Sequence, residues 1–369
     1  MKIAYLLGSL NRGGTETLLL DVFKHARENN LDAVGMYRKS GMLESDFLQS
    51  GIKMHKFMQT GNLIRNLCHL RKLCKSQNIE IIHAQQPIDA LYAWIAVFGT
   101  QIKIVLTHHG FDFNEKGISK IILYFIISRT DKNIYVSNYQ KDYYLNEYKL
   151  KKEKQVLVYN GVSFDKIDQL SITVDTTLRE ELNIAKDKLL MGSVGNFVPG
   201  RDQLSLCFFL KKLKDEAFDF YFVFVGKQVE SAPHLFSECY NYCEKNNLLK
   251  NVFFLGSRSD VPAIVKQLDA FIYASDHDSF GIAVVEAMAM GIPVFVNDWN
   301  VMTEITQNGK YAILYKTKNV NDLIIQFNLY IQNKSIYYKH AKLAAMFVRT
   351  QYSISNHISE LIKVYNSIS

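Results

Sequence analysis

Two kinds of segment alternate along this chain of 369 residues. Short apolar runs rich in Ile, Val, Leu and Tyr are each followed by a longer mixed segment, which predicts buried strands joined by crossover helices. The runs in the first part are Ile3–Leu7, Ile79–His83, Ile104–Thr107, Asn133–Val136 and Val156–Tyr159. The series restarts with Leu189–Val194, Tyr221–Val225, Val252–Leu255, Ala270–Tyr273 and Pro293–Val296. Two such series predict two doubly wound α/β domains with a cleft between them.

A polar stretch separates the two series. Residues 163–187 lack strand signals, so we expect the boundary there, with an amino-terminal domain over residues 1–170 and a second domain over residues 171–340. The pattern from Ser335 onward is helical, and residues 341–369 are expected to form closing helices. A chain of this length suits two domains of ordinary size.

Composition is that of a globular protein, because 48% of the residues are hydrophobic and 21% are charged. The longest apolar runs are far shorter than the roughly 20 residues that cross a bilayer. The chain opens on a strand pattern and not on a signal peptide, so we expect a cytoplasmic protein. Its five cysteines are irregularly spaced, which argues against a disulfide framework or a structural zinc site.

The net charge of +7 favours anionic partners. Two groups of basic residues stand out, namely Lys149, Lys151, Lys152 and Lys154, and Arg65, Arg71, Lys72 and Lys75. The simpler interpretation is a pair of solvated faces. The alternative is contact with anionic lipid headgroups, which contribute about 1 kcal/mol for each basic residue near the surface. No recognised nucleic-acid-binding module is visible, so nucleic acid is not an expected partner.

The most informative stretch is ASDHDSFGIAVVEAMAMGIPVFV, over residues 274–296. A helix starting near Gly281 would join two predicted strands, with the turn before it at the carboxyl end of a strand. Backbone N–H groups and the helix dipole at such a start attract an anion. Asp278 and Glu286 flank this start, and the segment between them would rise roughly 12 Å if it were fully helical. A diphosphate could then lie at the helix end, with one acid directed at each of two hydroxyl-rich groups.

Two other strand ends carry candidate residues. Gly13 and Gly14 precede a predicted helix but lack the G-x-G-x-x-G spacing, so either a tight structural turn or close backbone approach to a ligand explains them. The sequence Thr-His-His-Gly at 107–110 should place at least one imidazole at the carboxyl edge of the sheet. A histidine there can donate a hydrogen bond to a sugar hydroxyl, although a satisfied core histidine is equally expected. His83 is expected to be structural.

Arg201 lies where a loop after the second domain's first strand turns into a helix. A guanidinium beside a helix start is suited to bidentate contact with a diphosphate, and a surface arginine is the alternative. The strand ends at residues 225–227 and 255–258 carry Lys227 and Arg258, and either could approach a nucleotide.

The ordered motifs of this chain resemble retaining glycosyltransferase family 4. They are GGTE at 13–16, THHG at 107–110, VSNYQ at 136–140, YNGV at 159–162, VGNFVPGRDQ at 194–203, FVFVG at 222–226, FLGSRSDV at 254–261 and HDSFGIAVVEAMAMGIPV at 277–294. The resemblance covers nearly the whole chain, and the last motif is its most specific part. It implies the GT-B architecture, in which two Rossmann-like domains face each other across a cleft. The carboxyl-terminal domain then binds most of the donor, and the closing helices cross back to the first domain.

The resemblance also assigns roles to residues. Asp278 is the acid directed at the transferred sugar, and Glu286 is the acid directed at the ribose hydroxyls. Arg201 takes the place of the family's usual lysine on the diphosphate. His109 contacts the donor sugar near its reacting carbon.

Further donor contacts follow from the same resemblance: Gly13 and Gly14 on one side, and Ser279, Phe280, Gly281, Asn196 and Lys227 on the other. Two departures from the family's pattern stand out. Asp278 replaces the usual Glu, which would alter the sugar hydroxyl that it reaches. Asn196 replaces an arginine, so neutralisation of the diphosphate would depend more on Arg201, with help from Lys227.

The implied reaction is transfer of a sugar from a nucleotide diphosphate sugar, with a UDP-sugar favoured, to a hydroxyl of a glycan or lipid-linked acceptor. Configuration is retained, and neither metal nor cofactor is required. The expected setting is bacterial capsule or lipopolysaccharide assembly at the inner face of the membrane. Three competing interpretations stay open: a metal site at the D-x-D pattern of residues 276–278, a nucleotide-sugar epimerase of the same architecture, and a non-catalytic glycan- or lipid-binding module.

Overall fold

The computed structural model describes residues 1–113, 116–170 and 177–368, apart from the side chains of Lys166 and Leu170. The chain divides into two units, which we call the amino-terminal unit (residues 1–162 and 352–369) and the carboxyl-terminal unit (residues 163–351). The division thus falls between Val162 and Ser163. The predicted boundary at 170/171 lies directly before residues 171–176, which are outside the described residues.

The amino-terminal unit is built on a parallel sheet in the order β3-β2-β1-β4-β5-β6-β7. Its strands are β1 (Ile3–Ser9), β2 (Ala33–Lys39), β3 (Lys53–Lys56), β4 (Ile81–Ala84), β5 (Lys103–His108), β6 (Lys132–Tyr135) and β7 (Gln155–Leu157). Its helices are α1 (Gly14–His25), α2 (Glu44–Leu48), α3 (Leu63–Ser76), α4 (Pro87–Ala96), α5 (Ile118–Arg129) and α6 (Asn138–Tyr148), with a 3-10 turn over Lys152–Lys154. Apolar clusters cover both faces of this sheet, as a parallel sheet with crossover helices requires.

The carboxyl-terminal unit repeats this plan with a parallel sheet in the order β10-β9-β8-β11-β12-β13. Its strands are β8 (Leu189–Val194), β9 (Phe220–Val225), β10 (Val252–Phe254), β11 (Ala270–Tyr273), β12 (Val294–Asn297) and β13 (Ile313–Tyr315). Its helices are α7 (Phe164–Leu170), α8 (Leu178–Glu181), α9 (Gln203–Asp215), α10 (Pro233–Lys245), α11 (Val261–Lys266), α12 (Ile282–Ala289), α13 (Asn300–Ile305), α14 (Val320–Gln332) and α15 (Lys334–Gln351).

The last helix, α16 (Ile354–Asn366), belongs to the amino-terminal unit. The Val162 N–H donates to the Tyr352 carbonyl at 2.8 Å, and the Ile354 N–H donates back to the Val162 carbonyl at 3.0 Å. A Cβ added at Gly161 would lie 2.8 Å from the Ile354 Cα, so glycine permits this close approach. Backbone hydrogen bonds therefore join the end of the segment 1–162 to the start of the segment 352–369. The helix α16 that follows packs against α1.

The prediction of two doubly wound parallel sheets is confirmed, and every predicted strand overlaps an observed one. Three strands were missed, namely β2, β3 and β13. The edge strand β3 reads KMHK and has no apolar run, while Gly35 and a basic end interrupt the pattern of β2. None of the described helices is long and apolar enough to cross a membrane.

Candidate functional site

The strand order of the carboxyl-terminal sheet reverses between β8 and β11. In open α/β sheets, ligands bind outside the carboxyl ends of the strands at such a reversal. The loops that leave these two strands span residues 195–202 and 274–281, and we call them the β8 loop and the β11 loop. They carry Arg201 and Asp278, so the fold brings both predicted residues to the same edge.

Backbone hydrogen bonds join the two loops. The Asp202 N–H donates to the Ala274 carbonyl at 3.1 Å, and the Asp276 N–H donates to the Gly200 carbonyl at 3.0 Å. These bonds flank Arg201 on both sides. The main chain at Arg201 is consequently held next to the β11 loop.

Two glycines permit the close approach of these loops. Gly200 has a φ of +86°, and a Cβ there would lie 2.1 Å from the Cβ of His277. Gly226 lies after β9, where a Cβ would fall 2.1 Å from the Gly195 carbonyl oxygen. Because both contacts would be prohibitive for any side chain, the glycines of the VGNFVPG and FVFVG motifs are required by packing at this edge.

Arg201 and Asp278 form an ion pair, with 3.2 Å between Nη2 and Oδ1. The guanidinium lies over the ring of Tyr273, at 4.6 Å from Cζ to the ring centroid. The Tyr273 hydroxyl donates to Oδ2 of Asp278, and the Trp299 Nε1–H donates to the Asp278 main-chain carbonyl at 3.1 Å. Each carboxylate oxygen of Asp278 therefore has one partner, namely Arg201 for Oδ1 and Tyr273 for Oδ2. Sequence reasoning missed Tyr273, although its place at the last position of a buried strand beside the acid was a usable signal.

The Arg201 guanidinium retains one donor that is not used. Its Nη1 is buried and has no hydrogen-bond partner among the described residues. A Cβ at Gly195 would lie only 3.0 Å from this nitrogen, so the absence of a side chain at Gly195 makes room for it. A buried N–H without a partner is costly, and an anionic oxygen would satisfy it with a charge-assisted hydrogen bond.

The helix α12 begins at Ile282, directly after Gly281, as predicted. Gly281 has φ +84° and ψ +55°, a left-handed conformation, and a Cβ there would lie 2.7 Å from Cε of Met302. Among the described residues no side chain caps this helix start. Its first N–H groups and the helix dipole are accordingly suited to an anion.

The two acids do not lie on one continuous helix. Asp278 precedes α12 by several residues, whereas the partly buried Glu286 lies inside it. The predicted rise of roughly 12 Å assumed a continuous helix from Asp278 to Glu286, and this assumption is wrong. Only the segment Ile282–Glu286 is helical, and it contributes about 6 Å. Ser279 is partly buried and Phe280 is buried, and their backbone contacts with phosphate stay predictions.

Asn196 acts within the structure as a loop support. Its Oδ1 accepts a hydrogen bond from the Lys227 N–H at 3.0 Å, which ties the loop after β8 to the loop after β9. The Lys227 side chain is exposed and has no ion pair among the described residues. Lys227 therefore offers an exposed cation near this edge, whereas Asn196 offers a neutral amide.

Arg258 is held between two carboxylates. Its guanidinium makes paired hydrogen bonds to Glu181, at 2.8 and 3.0 Å, and to Asp260, at 2.8 and 2.7 Å. These bonds raise the pKa of Arg258 further. This structural role removes Arg258 from the candidate anion ligands.

Asp276 and Asp278 have separate cations. Oδ2 of Asp276 lies 2.8 Å from Nζ of Lys318, whereas Asp278 pairs with Arg201. The Asp276 N–H is also used, in the bond to the β8 loop. Within the described ranges, no group of three or more His, Cys, Asp or Glu side chains is arranged to hold a metal ion.

In the amino-terminal unit, Gly13 precedes α1 with φ −146°, and Gly14 is the first helical residue. Neither glycine adopts a positive φ. A Cβ at Gly14 would meet nothing within 4 Å, whereas one at Gly13 would lie 2.5 Å from Oε2 of Glu16. Open space over Gly14 is compatible with the close approach of a ligand.

His108 and His109 have different surroundings. His108 ends β5, is buried, and stacks on Tyr135 with ring centroids 4.9 Å apart. His109 follows the strand, and its Nε2 lies 2.9 Å from Oε1 of Gln85, which makes Nε2 the donor. Burial and the nearby His357 lower the pKa of His109 to about 3. The predicted imidazole at the sheet edge is confirmed, and it is neutral at physiological pH.

His83 belongs to a buried polar network. Its Nδ1 lies 2.7 Å from the Tyr365 hydroxyl and its Nε2 lies 2.7 Å from Oγ1 of Thr107. The Tyr365 hydroxyl also lies 2.8 Å from that of Tyr5, so α16 is bonded to β1 and β4 through side chains. This network agrees with the structural role expected for His83.

Family models match both parts of the sequence. The model described as Glycosyltransferase Family 4 matches residues 12–166, and the model described as Glycosyl transferases group 1 matches residues 174–348. Together the two models cover nearly the whole chain.

Two similar sequences come from Escherichia coli. One is UDP-Gal:alpha-D-GlcNAc-diphosphoundecaprenol alpha-1,3-galactosyltransferase, which is 24% identical over 88% of this chain and 86% of the relative. The other is the O-antigen biosynthesis glycosyltransferase WclY, which is 22% identical over 100% of this chain and 99% of the relative. Among solved structures, Anabaena Alr3699/HepE in complex with UDP matches with a TM-score of 0.86 and 20% identity, covering 100% of both chains. This likeness shows the fold, which is GT-B.

Proposed function

The chain belongs to glycosyltransferase family 4, and we propose that it transfers a sugar from a UDP-sugar to a hydroxyl of a glycan or lipid-linked acceptor, with retention of configuration. The observation that carries this proposal is the Arg201–Asp278 pair beside the start of α12, which no described side chain caps. A guanidinium and a helix start suit a diphosphate, and a carboxylate suits a sugar hydroxyl. The names of the relatives support the donor and the setting, since they include a UDP-galactose-dependent enzyme and an O-antigen enzyme.

The difficult charges in this reaction are a diphosphate leaving group and an oxocarbenium-like sugar. Arg201, the N–H groups at the start of α12 and the exposed Lys227 would stabilise the first. The bond between the anomeric carbon and the phosphate oxygen breaks, and the acceptor oxygen bonds to the same face. The acceptor's proton passes to the departing phosphate oxygen. The two acids need not act as a hydrolase's acid and base.

Other residues have subsidiary roles in this scheme. Asp278 accepts a hydrogen bond from the transferred sugar, and Glu286 accepts hydrogen bonds from the ribose. His109 contributes a neutral imidazole, which can hydrogen-bond a sugar hydroxyl but does not add a cation. Because Arg201, Lys227 and α12 supply the positive potential, no metal or other cofactor is needed.

Calorimetric titration with UDP, GDP and ADP tests the donor class. We expect UDP to bind most tightly to the wild-type protein, and Arg201→Ala to weaken that binding. The exposed and distant Lys250→Ala serves as the matched control for loss of one positive charge. Equal affinity of wild type and Arg201→Ala for every nucleotide would remove the site from consideration.

A metal site at Asp276 and Asp278 predicts a different result. UDP release from the donor, measured after treatment with a chelator, should be unchanged if Arg201 and α12 neutralise the diphosphate. Loss of this activity with a chelator and its return with manganese would favour the metal site.

An epimerase and a non-catalytic module are each distinguished from a transferase by their products. An epimerase would convert the sugar of the donor without any acceptor, which chromatography of the nucleotide sugars would detect. A non-catalytic module predicts unchanged surface polysaccharide in cells that carry Glu286→Ala. The transferase predicts its loss, and the anomeric coupling constants of the wild-type product would then decide between retention and inversion.

We further propose that the amino-terminal unit contacts an anionic membrane through α3, α4 and α5, which pack side by side. Ile64 on α3 and Ile118 on α5 are each 74% exposed, and Ile121 is 68% exposed. The exposed basic side chains Arg65 and Lys72 accompany them on α3. Apolar side chains among basic ones suit the interface of an anionic bilayer.

Flotation with vesicles tests this contact. We expect the protein to float with phosphatidylcholine vesicles that contain phosphatidylglycerol, and less with phosphatidylcholine alone. Ile118→Glu combined with Ile121→Glu should abolish flotation, whereas Met346→Glu, at an equally exposed position of the carboxyl-terminal unit, should not. Unchanged flotation of the double variant would contradict the proposed surface.

A further inference from the structure

Tyr273 contacts both members of the Arg201–Asp278 pair. Its ring lies under the guanidinium at 4.6 Å, and its hydroxyl donates to Oδ2 of Asp278. The side chain is almost completely buried at the end of β11. We propose that Tyr273 is a positioning residue, which keeps the Asp278 carboxylate in place for the donor sugar when a diphosphate binds Arg201. This inference rests on the proposed function.

Arg201 has to serve two anions in the proposed reaction. In the structure its Nη2 contacts Oδ1 of Asp278 at 3.2 Å. A diphosphate bears more negative charge than a carboxylate and offers paired oxygens to the guanidinium, so it competes for this contact. As Arg201 turns toward the diphosphate, Oδ1 becomes available to a sugar hydroxyl. The Tyr273 hydroxyl remains on Oδ2 throughout.

The main chain at both ends of this hydrogen bond is held by contacts that do not involve Arg201. The Tyr315 hydroxyl donates to the Tyr273 carbonyl at 2.7 Å. The Trp299 indole N–H donates to the Asp278 carbonyl at 3.1 Å. The short Asp side chain has one rotatable bond fewer than Glu, so a single strong hydrogen bond is enough to fix its carboxylate.

Tyr273→Phe removes the hydroxyl and retains the ring under Arg201. The probes are UDP and whichever of UDP-glucose, UDP-galactose and UDP-N-acetylglucosamine binds wild type most tightly. We expect the dissociation constant of the UDP-sugar to rise roughly fivefold, which corresponds to about 1 kcal/mol. The dissociation constant of UDP should stay within about twofold, because Arg201 keeps its charge and its stacking partner.

Tyr330→Phe is the matched control. Tyr330 is also buried, and its hydroxyl donates to the Asp269 carbonyl at 2.8 Å, at the opposite end of β11. This variant loses one buried hydroxyl beside the same strand without touching Asp278. It should bind UDP and the UDP-sugar as wild type does.

A double-mutant cycle distinguishes positioning from a general structural effect. In an Asp278→Ala background the hydroxyl has no carboxylate to hold, so adding Tyr273→Phe should change UDP-sugar affinity by less than about twofold. The inference is overturned if Tyr273→Phe leaves UDP-sugar affinity unchanged, if it weakens UDP equally, or if its effect persists in the Asp278→Ala background. Wild type that binds no UDP at all would instead refute the proposed function, before any variant is compared.

Discussion

Arg201→Lys is the sharpest test of the anion site, because it keeps the positive charge and removes the planar, forked geometry of the guanidinium. The guanidinium of Arg201 stacks on Tyr273, pairs with Asp278 and retains a buried Nη1 without a partner among the described residues. A lysine ammonium lacks the planar fork, so it cannot make the paired contact that a guanidinium makes with two oxygens. Loss of one charge-assisted hydrogen bond costs roughly 1.5–3 kcal/mol. We therefore expect the dissociation constant of UDP to rise by roughly 10- to 150-fold.

Calorimetry with UDP measures this change directly, and Arg258→Lys provides the matched control. Arg258 lies in the same unit, but Glu181 and Asp260 occupy its guanidinium. Its replacement should lower thermal stability and leave UDP affinity within about twofold of wild type. If Arg201→Lys binds UDP as tightly as wild type, the planar fork of the guanidinium adds nothing to diphosphate binding, and the reasoning from its unpartnered nitrogen is refuted.

Two further predictions concern stability. Gly281→Ala should destabilise the protein by about 1–2 kcal/mol, because a residue at φ +84° would gain a Cβ. A melting temperature no lower than that of Gly14→Ala, where a Cβ has open space, would contradict this. Burial lowers the pKa of His357 to about 4, so its unfolded form takes up a proton first, and stability present above about pH 6.5 is lost as the pH falls toward 4. Between pH 7 and pH 5, the free energy of chemical unfolding should therefore fall less for His357→Gln than for wild type. An equal fall in the two proteins would show that His357 does not contribute to this pH dependence.

The buried strands and the start of α12 could be predicted because each depends on a local pattern. The strand β11 is a continuous apolar run, and Gly281 followed by an Ala-rich segment signals a helix start. The edge strand β3 could not be predicted, because it is half exposed and its formation depends on pairing with β2. Tertiary pairing, not local preference, decides such a strand.

The residues of the candidate site could be identified singly, but their pairing could not. Nothing in the spacing from Arg201 to Asp278 indicates that they form an ion pair, since their proximity comes from the backbone bonds between two loops. The hydrogen bond from the Lys227 N–H to Asn196 also could not be predicted from the spacing of the two residues. Side-chain partners across a sheet edge depend on the strand order, which the sequence pattern leaves open.

The return of the chain to the amino-terminal unit bears on how the protein is made. Residues 352–369 supply α16, whose Tyr365 hydroxyl bonds to His83 and Tyr5. During synthesis, residues 163–351 emerge as one uninterrupted segment and can fold while α16 is still missing from the amino-terminal unit. A helix made after the whole carboxyl-terminal unit thus completes the amino-terminal unit, so a premature stop before Tyr352 would damage the amino-terminal core and leave the carboxyl-terminal unit's sequence intact.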